Sequence, residues 1–214
     1  MIPSAPGLTV PLVLIGAYLV GGIPFSYLAG LWTKGLDLRQ HGSGNLGASN
    51  TYRILGGRIA LIVLVCDIAK GLLPVVMART WDVPGEAPIH EIAAAIGAIL
   101  GHLFSPYLRF SGGKGIATSA GAFAGLAPWA FACALAVFAA VFALRKIVSL
   151  ASLSAAVALP IAVYLTARAG LAPFHGSVLW GSVLIMVVVI VKHRGNIKRL
   201  MAGTEPRLAR RRET

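Results

Sequence analysis

The fold is decided by the stretch Ile59-Ala-Leu-Ile-Val-Leu-Val-Cys-Asp-Ile-Ala-Lys-Gly-Leu-Leu-Pro-Val-Val-Met-Ala78, in which only Asp67 and Lys70 are charged. About 20 predominantly apolar residues are enough for one helical crossing of a bilayer. The whole chain has the same character, with 57% hydrophobic residues, 12% charged residues and a mean hydropathy of +0.80. Such a composition leaves too little polar surface to cover a soluble globule. The sequence therefore predicts an all-α, polytopic membrane helix bundle.

The apolar runs predict about seven transmembrane segments, some of them short or broken, near 8–32, 59–78, 90–108, 116–127, 129–144, 148–167 and 177–191. The first is longer than a secretory signal core and no Lys or Arg precedes it, so we expect a membrane helix. The fourth is too short for a full crossing and is followed by Pro128, which indicates a broken or half-depth helix. The alternative is one bent element over 116–144. We expect one integral-membrane domain over 1–203 and a basic cytoplasmic tail over 204–214.

The positive charge of the chain is distributed unevenly between its loops. In the seven-segment topology, 16 of the 19 Lys and Arg residues fall on one side, whereas the other side carries only Arg79 and Arg168. Cytoplasmic loops of membrane proteins are enriched in Lys and Arg. We therefore expect the amino terminus outside and the carboxyl terminus in the cytoplasm. The net charge of +12 does not indicate nucleic-acid binding, because the basic residues lie in short loops and form no soluble basic face.

Three polar motifs fall on the predicted cytoplasmic side. They are Gly42-Ser-Gly-Asn-Leu-Gly-Ala-Ser-Asn50 with Arg53, Ser111-Gly-Gly-Lys-Gly115, and Lys192-His-Arg-Gly-Asn-Ile-Lys-Arg199. Glycines permit close backbone approach, while hydroxyls, amides and cations bind anions. Each motif also has an ordinary explanation, namely a turn, a lysine reaching headgroups, or a basic cluster on acidic lipid. Their shared side favours one site for a phosphate-bearing ligand.

Other signatures of chemistry are absent from the sequence. The second glycine loop is not a nucleotide-binding P-loop, because Leu108 and Gly115 stand where that motif needs Gly and a hydroxyl residue. No His is followed five positions later by Asp, and no HExxH, GxSxG or zinc spacing occurs. We expect no metal and no organic cofactor. Asp67 and Lys70 are predicted to form an ion pair that locks a helix or supports the loops, and His102 to be a satisfied polar residue within its helix.

In this order and on a membrane protein of this size, the motifs resemble those of the bacterial acyl-phosphate-dependent glycerol-3-phosphate acyltransferases. The similarity covers nearly the whole chain. The matching residues are Gly42–Asn50 with Arg53, Asp67-Ile-Ala-Lys-Gly71, Gly101-His102 followed by Ser111–Gly115, and His193-Arg-Gly-Asn-Ile-Lys-Arg199. Ser49 departs from the pattern, since the family commonly has Thr there, but the hydroxyl is retained.

The resemblance implies transfer of a fatty acyl group from acyl phosphate to the sn-1 hydroxyl of glycerol 3-phosphate, giving lysophosphatidate and inorganic phosphate. Besides the two substrates, membrane lipids of a bacterial inner membrane are the implied partners. Candidate catalytic residues are Ser43, His193 and Asn196. Candidate substrate-binding residues are Asn45, Asn50, Arg53, Lys114, Lys198 and Arg199.

Two questions stay open at the level of the sequence. The proton of the attacking hydroxyl could pass to the leaving phosphate or to His193. A transporter or channel for a phosphorylated small molecule would also use glycine loops and cations, although its polar groups should line a path through both halves of the bilayer.

Overall fold

The computed structural model of the protein describes residues 6–82 and 88–208. Every regular element in these two ranges is a helix, which confirms the all-α prediction. The chain divides into two compact units, Met1–Leu126 and Ala127–Thr214.

Over residues 6–82 and 88–126, the described part of the first unit, there are six α-helices. They are α1 (Pro6–Gly22), α2 (Phe25–Lys34), α3 (Ala48–Leu55), α4 (Gly57–Ala78), α5 (Ile89–Leu103) and α6 (Ile116–Leu126). The segment predicted as one helix over 8–32 is thus broken between α1 and α2. Pro24 lacks an N–H and disfavours helical backbone at the residue before it, so the chain turns there.

The third predicted segment, 90–108, is also shorter in the structure. Helix α5 ends at Leu103, and a separate 3-10 turn covers Pro106–Leu108. Ser105 precedes the proline and is extended, with φ −60° and ψ 122°. Because helical backbone is disfavoured before proline here too, the helix ends five residues before the predicted end at residue 108.

Helices α4 and α6 pack backbone against backbone. A Cβ atom at Gly71 would overlap the carbonyl oxygen of Thr118, and one at Gly121 would overlap that of Ile68. Small residues at such contacts allow membrane helices to approach closely, where dispersion contacts stabilise the pair. The glycines of α4 and α6 thus bring the start of α6 near the polar residues of α4.

The second unit, described up to residue 208, contains four α-helices there: α7 (Pro128–Arg145), α8 (Val148–Arg168), α9 (Gly176–Lys192) and α10 (Arg194–Met201). Helix α6 ends before Ala127, whose backbone in front of Pro128 is not helical (φ −144°, ψ 71°), so 116–144 is two separate helices. Helices α9 and α10 meet at His193 with a bend of 62°.

Fewer helical segments qualify as full membrane crossings by length and composition than the seven segments predicted from the sequence. Within the described residues, five helical segments are long and apolar enough to cross a bilayer, with α1 and α2 counted together. A sixth is added if α9 and α10 form one span, and α6, with 11 residues, is too short. Seven full crossings are therefore not confirmed. The exposed apolar side chains of α4, among them Leu61 and Ile62, provide the surface that lipid would cover.

Candidate functional site

The first glycine loop, which joins α2 to α3, is held together by a buried amide. The Nδ2 group of Asn50 donates hydrogen bonds to the carbonyls of Leu38 (3.2 Å) and His41 (3.0 Å). Its Oδ1 accepts one from the N–H of Ser43 at 2.9 Å. Asn50 is only 1% exposed. These contacts give Asn50 a structural role in the loop, while its predicted contact with substrate stays a prediction.

The backbone of this loop requires glycine next to Asn50. Gly42 lies in the left-handed region with φ 64°, and a Cβ there would overlap Asn50 Oδ1. The loop glycines therefore do more than add flexibility, because they let the chain wrap closely around one amide group. Ser43 is exposed beside this turn, and Asn45 is half-buried.

The structure brings the first and second glycine loops together within the first unit. Leu38 and Leu46 of the first loop form a buried apolar cluster with Leu108 of the second. A Cβ at Gly113 would overlap the carbonyl oxygen of Leu46. Two motifs about 65 residues apart in the chain are thus in direct backbone contact, as their shared side of the membrane predicted.

The second loop is fixed by a hydrogen bond to the end of α1 and by one within the loop itself. The hydroxyl of Ser105 donates to the carbonyl of Gly22 at 2.6 Å, and the Ser105 carbonyl accepts from the N–H of Phe110 at 2.8 Å. Arg109 and Phe110 are both left-handed, with φ 53° and 58°. Residues other than glycine rarely adopt this backbone conformation, and where they do the surrounding structure must enforce it. The segment that precedes the Lys114 motif is therefore held in an unusual backbone conformation.

The predicted cations of the first unit lie in the second loop and in the helix that follows the first loop. Arg53 is half-buried in the last turn of α3, and Lys114 is half-buried between Gly113 and the first turn of α6. The N–H groups of that turn and the ammonium of Lys114 favour an anion.

The third motif lies at the bend between α9 and α10 in the second unit. His193 is 2% exposed, and its Nδ1 lies 2.8 Å from the carbonyl oxygen of Val189. Because a carbonyl only accepts, this contact assigns the proton to Nδ1, and Nε2 of the neutral ring is then an acceptor. The side chains of Lys198 and Arg199 are exposed.

A residue that the sequence reasoning missed organises this motif. Glu205, in the predicted tail, accepts hydrogen bonds from Asn196 Nδ2 (2.6 Å), Ser149 Oγ (2.7 Å) and Arg199 Nε (2.7 Å). Burial raises the pKa of Glu205, but these three hydrogen bonds, with the charge of Arg199, hold it below its ordinary value. A carboxylate in a predominantly basic segment was the available signal. Residues 209–214 of the tail lie outside the described residues.

A small cavity in the first unit is lined by polar residues that the predicted site did not include. It lies under the two loops, and its lining includes Ser26, Asp67, Lys70, His102 and Ser105. The sequence feature that could have identified these residues is that each is a polar residue within or beside an apolar run. Among the residues that the structure describes, no three His, Cys, Asp or Glu side chains are grouped as a metal site.

Comparison with known proteins gives one consistent result. The sequence model described as Glycerol-3-phosphate acyltransferase matches residues 11–203. A glycerol-3-phosphate acyltransferase of Geotalea daltonii is 44% identical over 193 residues, covering 90% of this chain and 94% of the relative. One from Desulforudis audaxviator is 44% identical over 206 residues, covering 94% and 97%.

A crystal structure of PlsY, an integral membrane glycerol 3-phosphate acyltransferase in its glycerol 3-phosphate form, has the same fold. The TM-score is 0.85 at 30% sequence identity, with 94% of this chain and 96% of that one covered. Together with the apolar helices, this similarity shows a multi-pass membrane protein. Because the family model matches residues 11–203 and a relative is 44% identical over 90% of this chain, the chain belongs to the glycerol-3-phosphate acyltransferase family.

Proposed function

We propose that this protein transfers a fatty acyl group from acyl phosphate to the sn-1 hydroxyl of glycerol 3-phosphate. The products are lysophosphatidate and inorganic phosphate. Family membership supports the acceptor and the reaction class. The observation that carries the proposal in the structure is the backbone contact between Leu46 and Gly113, because it joins the two anion-favouring loops in one place.

The phosphate-bearing groups of the substrates are bound by cations. In this proposal Arg53 and Lys114 hold the phosphates, and Lys198 or Arg199 assists. A guanidinium makes two parallel hydrogen bonds to a phosphate, whereas an ammonium acts as a point charge. Holding two bound reactants in the right orientation removes a large part of the entropic barrier to their reaction. Rigid loops therefore favour the reaction here.

The polar side chains orient the reacting oxygens. Ser43 and Asn45 are assigned to substrate oxygens at the first loop, and Asn50 contributes by fixing the loop backbone. Asn196 is assigned to a substrate oxygen at the α9–α10 bend, where its amide is oriented by Glu205.

The reaction balances without a cofactor. The sn-1 oxygen attacks the acyl carbonyl carbon, the bond from that carbon to the bridging oxygen of the phosphate breaks, and phosphate leaves. The hydroxyl proton passes to the leaving phosphate, because a mixed anhydride is already activated and carries its own acceptor. His193, with Nε2 as the acceptor, orients the hydroxyl and is the rival base.

The test uses purified protein in detergent or liposomes with glycerol 3-phosphate. Acyl phosphate, acyl-coenzyme A and acyl carrier protein are supplied in parallel, and phosphate release and lysophosphatidate are measured. We expect turnover with acyl phosphate alone. Turnover only with one of the other donors would refute the assigned donor. Absence of turnover with all three, with uptake of glycerol 3-phosphate into liposomes, would favour the transporter.

We also propose the orientation in a bacterial inner membrane. In the predicted seven-segment topology, in which the short α6 also passes from one side to the other, the amino terminus is outside, and the loops at 42–50 and 111–115 and the carboxyl terminus face the cytoplasm. The excess of Lys and Arg in these segments supports it. Single cysteines introduced at Ser43 and at Thr80 in a variant without Cys66 and Cys133 should react on opposite sides with a membrane-impermeant thiol reagent.

A further inference from the structure

Three buried groups of the first unit take no direct part in the proposed reaction. Asp67 and Lys70 lie one turn apart on α4, with Lys70 Nζ 2.7 Å from Asp67 Oδ1. His102, in the last turn of α5, places Nδ1 3.7 Å from the same oxygen. Their side chains are 3%, 3% and 8% exposed. Burying charged groups is costly, and a buried ion pair often adds little to the free energy of unfolding. Such groups within a membrane helix therefore point to a specific role.

Lys70 is accounted for by the break between α1 and α2. Its ammonium donates a hydrogen bond to the carbonyl of Ile23 at 2.8 Å and lies 5.5 Å from the centre of the Phe25 ring. It therefore satisfies a backbone group at the break and also balances the charge of Asp67. Charge balance does not explain His102, because Asp67 already has its cation.

The other side of the His102 ring lies against the second glycine loop. A Cβ at Gly113 would overlap His102 Nε2, and the backbone carbonyl of His102 accepts a hydrogen bond from the N–H of Gly113 at 3.2 Å. Gly113 directly precedes Lys114 and also contacts Leu46 of the first loop. His102 thus contacts the residue that directly precedes Lys114 and determines the position of its backbone.

We propose that His102 is a positioning residue for Lys114. The carboxylate of Asp67, 3.7 Å from Nδ1 and so beyond hydrogen-bond distance, orients the ring of His102 electrostatically. The Nε2 edge of the ring then fixes the backbone of Gly113 against the first loop. The Lys114 ammonium is thereby held at the phosphate of a bound substrate. This inference rests on the proposed function, in which Lys114 binds a substrate phosphate. A displacement of about 1 Å is enough to cost a large factor in rate when reactants must be aligned.

The chain offers a matched control on the same helix. His90 lies in the first turn of α5, is 7% exposed against 8% for His102, and has its Nδ1 2.9 Å from Asp82 Oδ1. Twelve residues separate the two histidines, which corresponds to about 18 Å along a helix. His90→Gln removes a buried, carboxylate-paired imidazole far from the glycine loops.

The experiment compares H102Q with H90Q in purified protein, with kcat and KM measured for both substrates. We expect H102Q to raise the KM of one phosphate-bearing substrate about tenfold, the scale seen when groups that orient ligating side chains are removed. Lys114→Arg should raise the KM of the same substrate, and adding H102Q to it should change that KM by less than about twofold. H90Q should leave kcat and KM at wild-type values.

Each outcome decides the inference. Equal KM values for H102Q and H90Q, or a further tenfold rise when H102Q is added to Lys114→Arg, would overturn it. If H102Q does not fold, H102N and D67N replace it. Failure of all three to fold while H90Q folds would assign the cluster to folding alone and overturn the positioning role. Lack of wild-type turnover would instead refute the proposed function, on which this inference depends.

Discussion

Replacing Asn50 by Ala tests whether one buried amide fixes the first glycine loop. The change removes two hydrogen bonds donated to the carbonyls of Leu38 and His41 and one accepted from Ser43 N–H. Each such bond contributes about 1 kcal/mol net, so we expect a loss of about 3 kcal/mol in the free energy of unfolding. For a chain of this size that corresponds to a fall in Tm of about 6 to 12 °C.

The assay combines stability with kinetics. Unfolding in mixed micelles is followed by circular dichroism, and kcat and KM are measured for both substrates. Asn50→Asp should lose at least as much stability, because its second oxygen would face two carbonyls in place of two donated hydrogen bonds. Thr33→Ala is the control, since the exposed Thr33 hydroxyl makes one bond to the carbonyl of Ala29 and should contribute less than about 0.5 kcal/mol.

The result that refutes this reasoning is a small one. If Asn50→Ala lies within about 0.5 kcal/mol of the wild type and keeps its KM values, the loop does not depend on the amide. If stability is unchanged but KM rises, Asn50 contacts substrate directly, as the family resemblance implied.

Three further predictions concern the second unit and the anion site. His193→Asn should keep most of its kcat if the leaving phosphate takes the proton, and a fall of about a thousandfold would identify His193 as the base. Since the pKa of Glu205 is lowered, its contribution to stability is present at neutral pH and lost as the pH falls below the ordinary value of about 4.3. The Tm difference between wild type and Glu205→Gln should therefore shrink between pH 7 and pH 3, and a constant difference would contradict the assigned contacts. Arg53→Lys should raise the KM of one phosphate-bearing substrate at least tenfold in steady-state kinetics if the guanidinium binds phosphate through two hydrogen bonds, and an unchanged KM would remove Arg53 from the site.

The helices could be predicted from the sequence because their signals are local. An apolar run of bilayer length predicts a helix wherever it folds, since the backbone must satisfy its own hydrogen bonds in lipid. The side of the membrane proposed for the glycine loops rests on charge, which is also read from local sequence. Helix ends were less predictable, and the errors at Ile23 and Leu103 both trace to a proline one to three residues further on.

The roles of individual side chains were decided by tertiary structure. Asn50 and Ser43 belong to the same polar motif, yet one is buried in backbone hydrogen bonds and the other is exposed. In the sequence Glu205 is only a carboxylate in the tail, whereas in the structure it accepts hydrogen bonds from Ser149 and Asn196. Composition and periodicity determine which segments enter the membrane, because that choice depends on the solvent around each segment. Which polar groups meet depends on contacts between residues far apart in the chain, and only the packed helices determine those contacts.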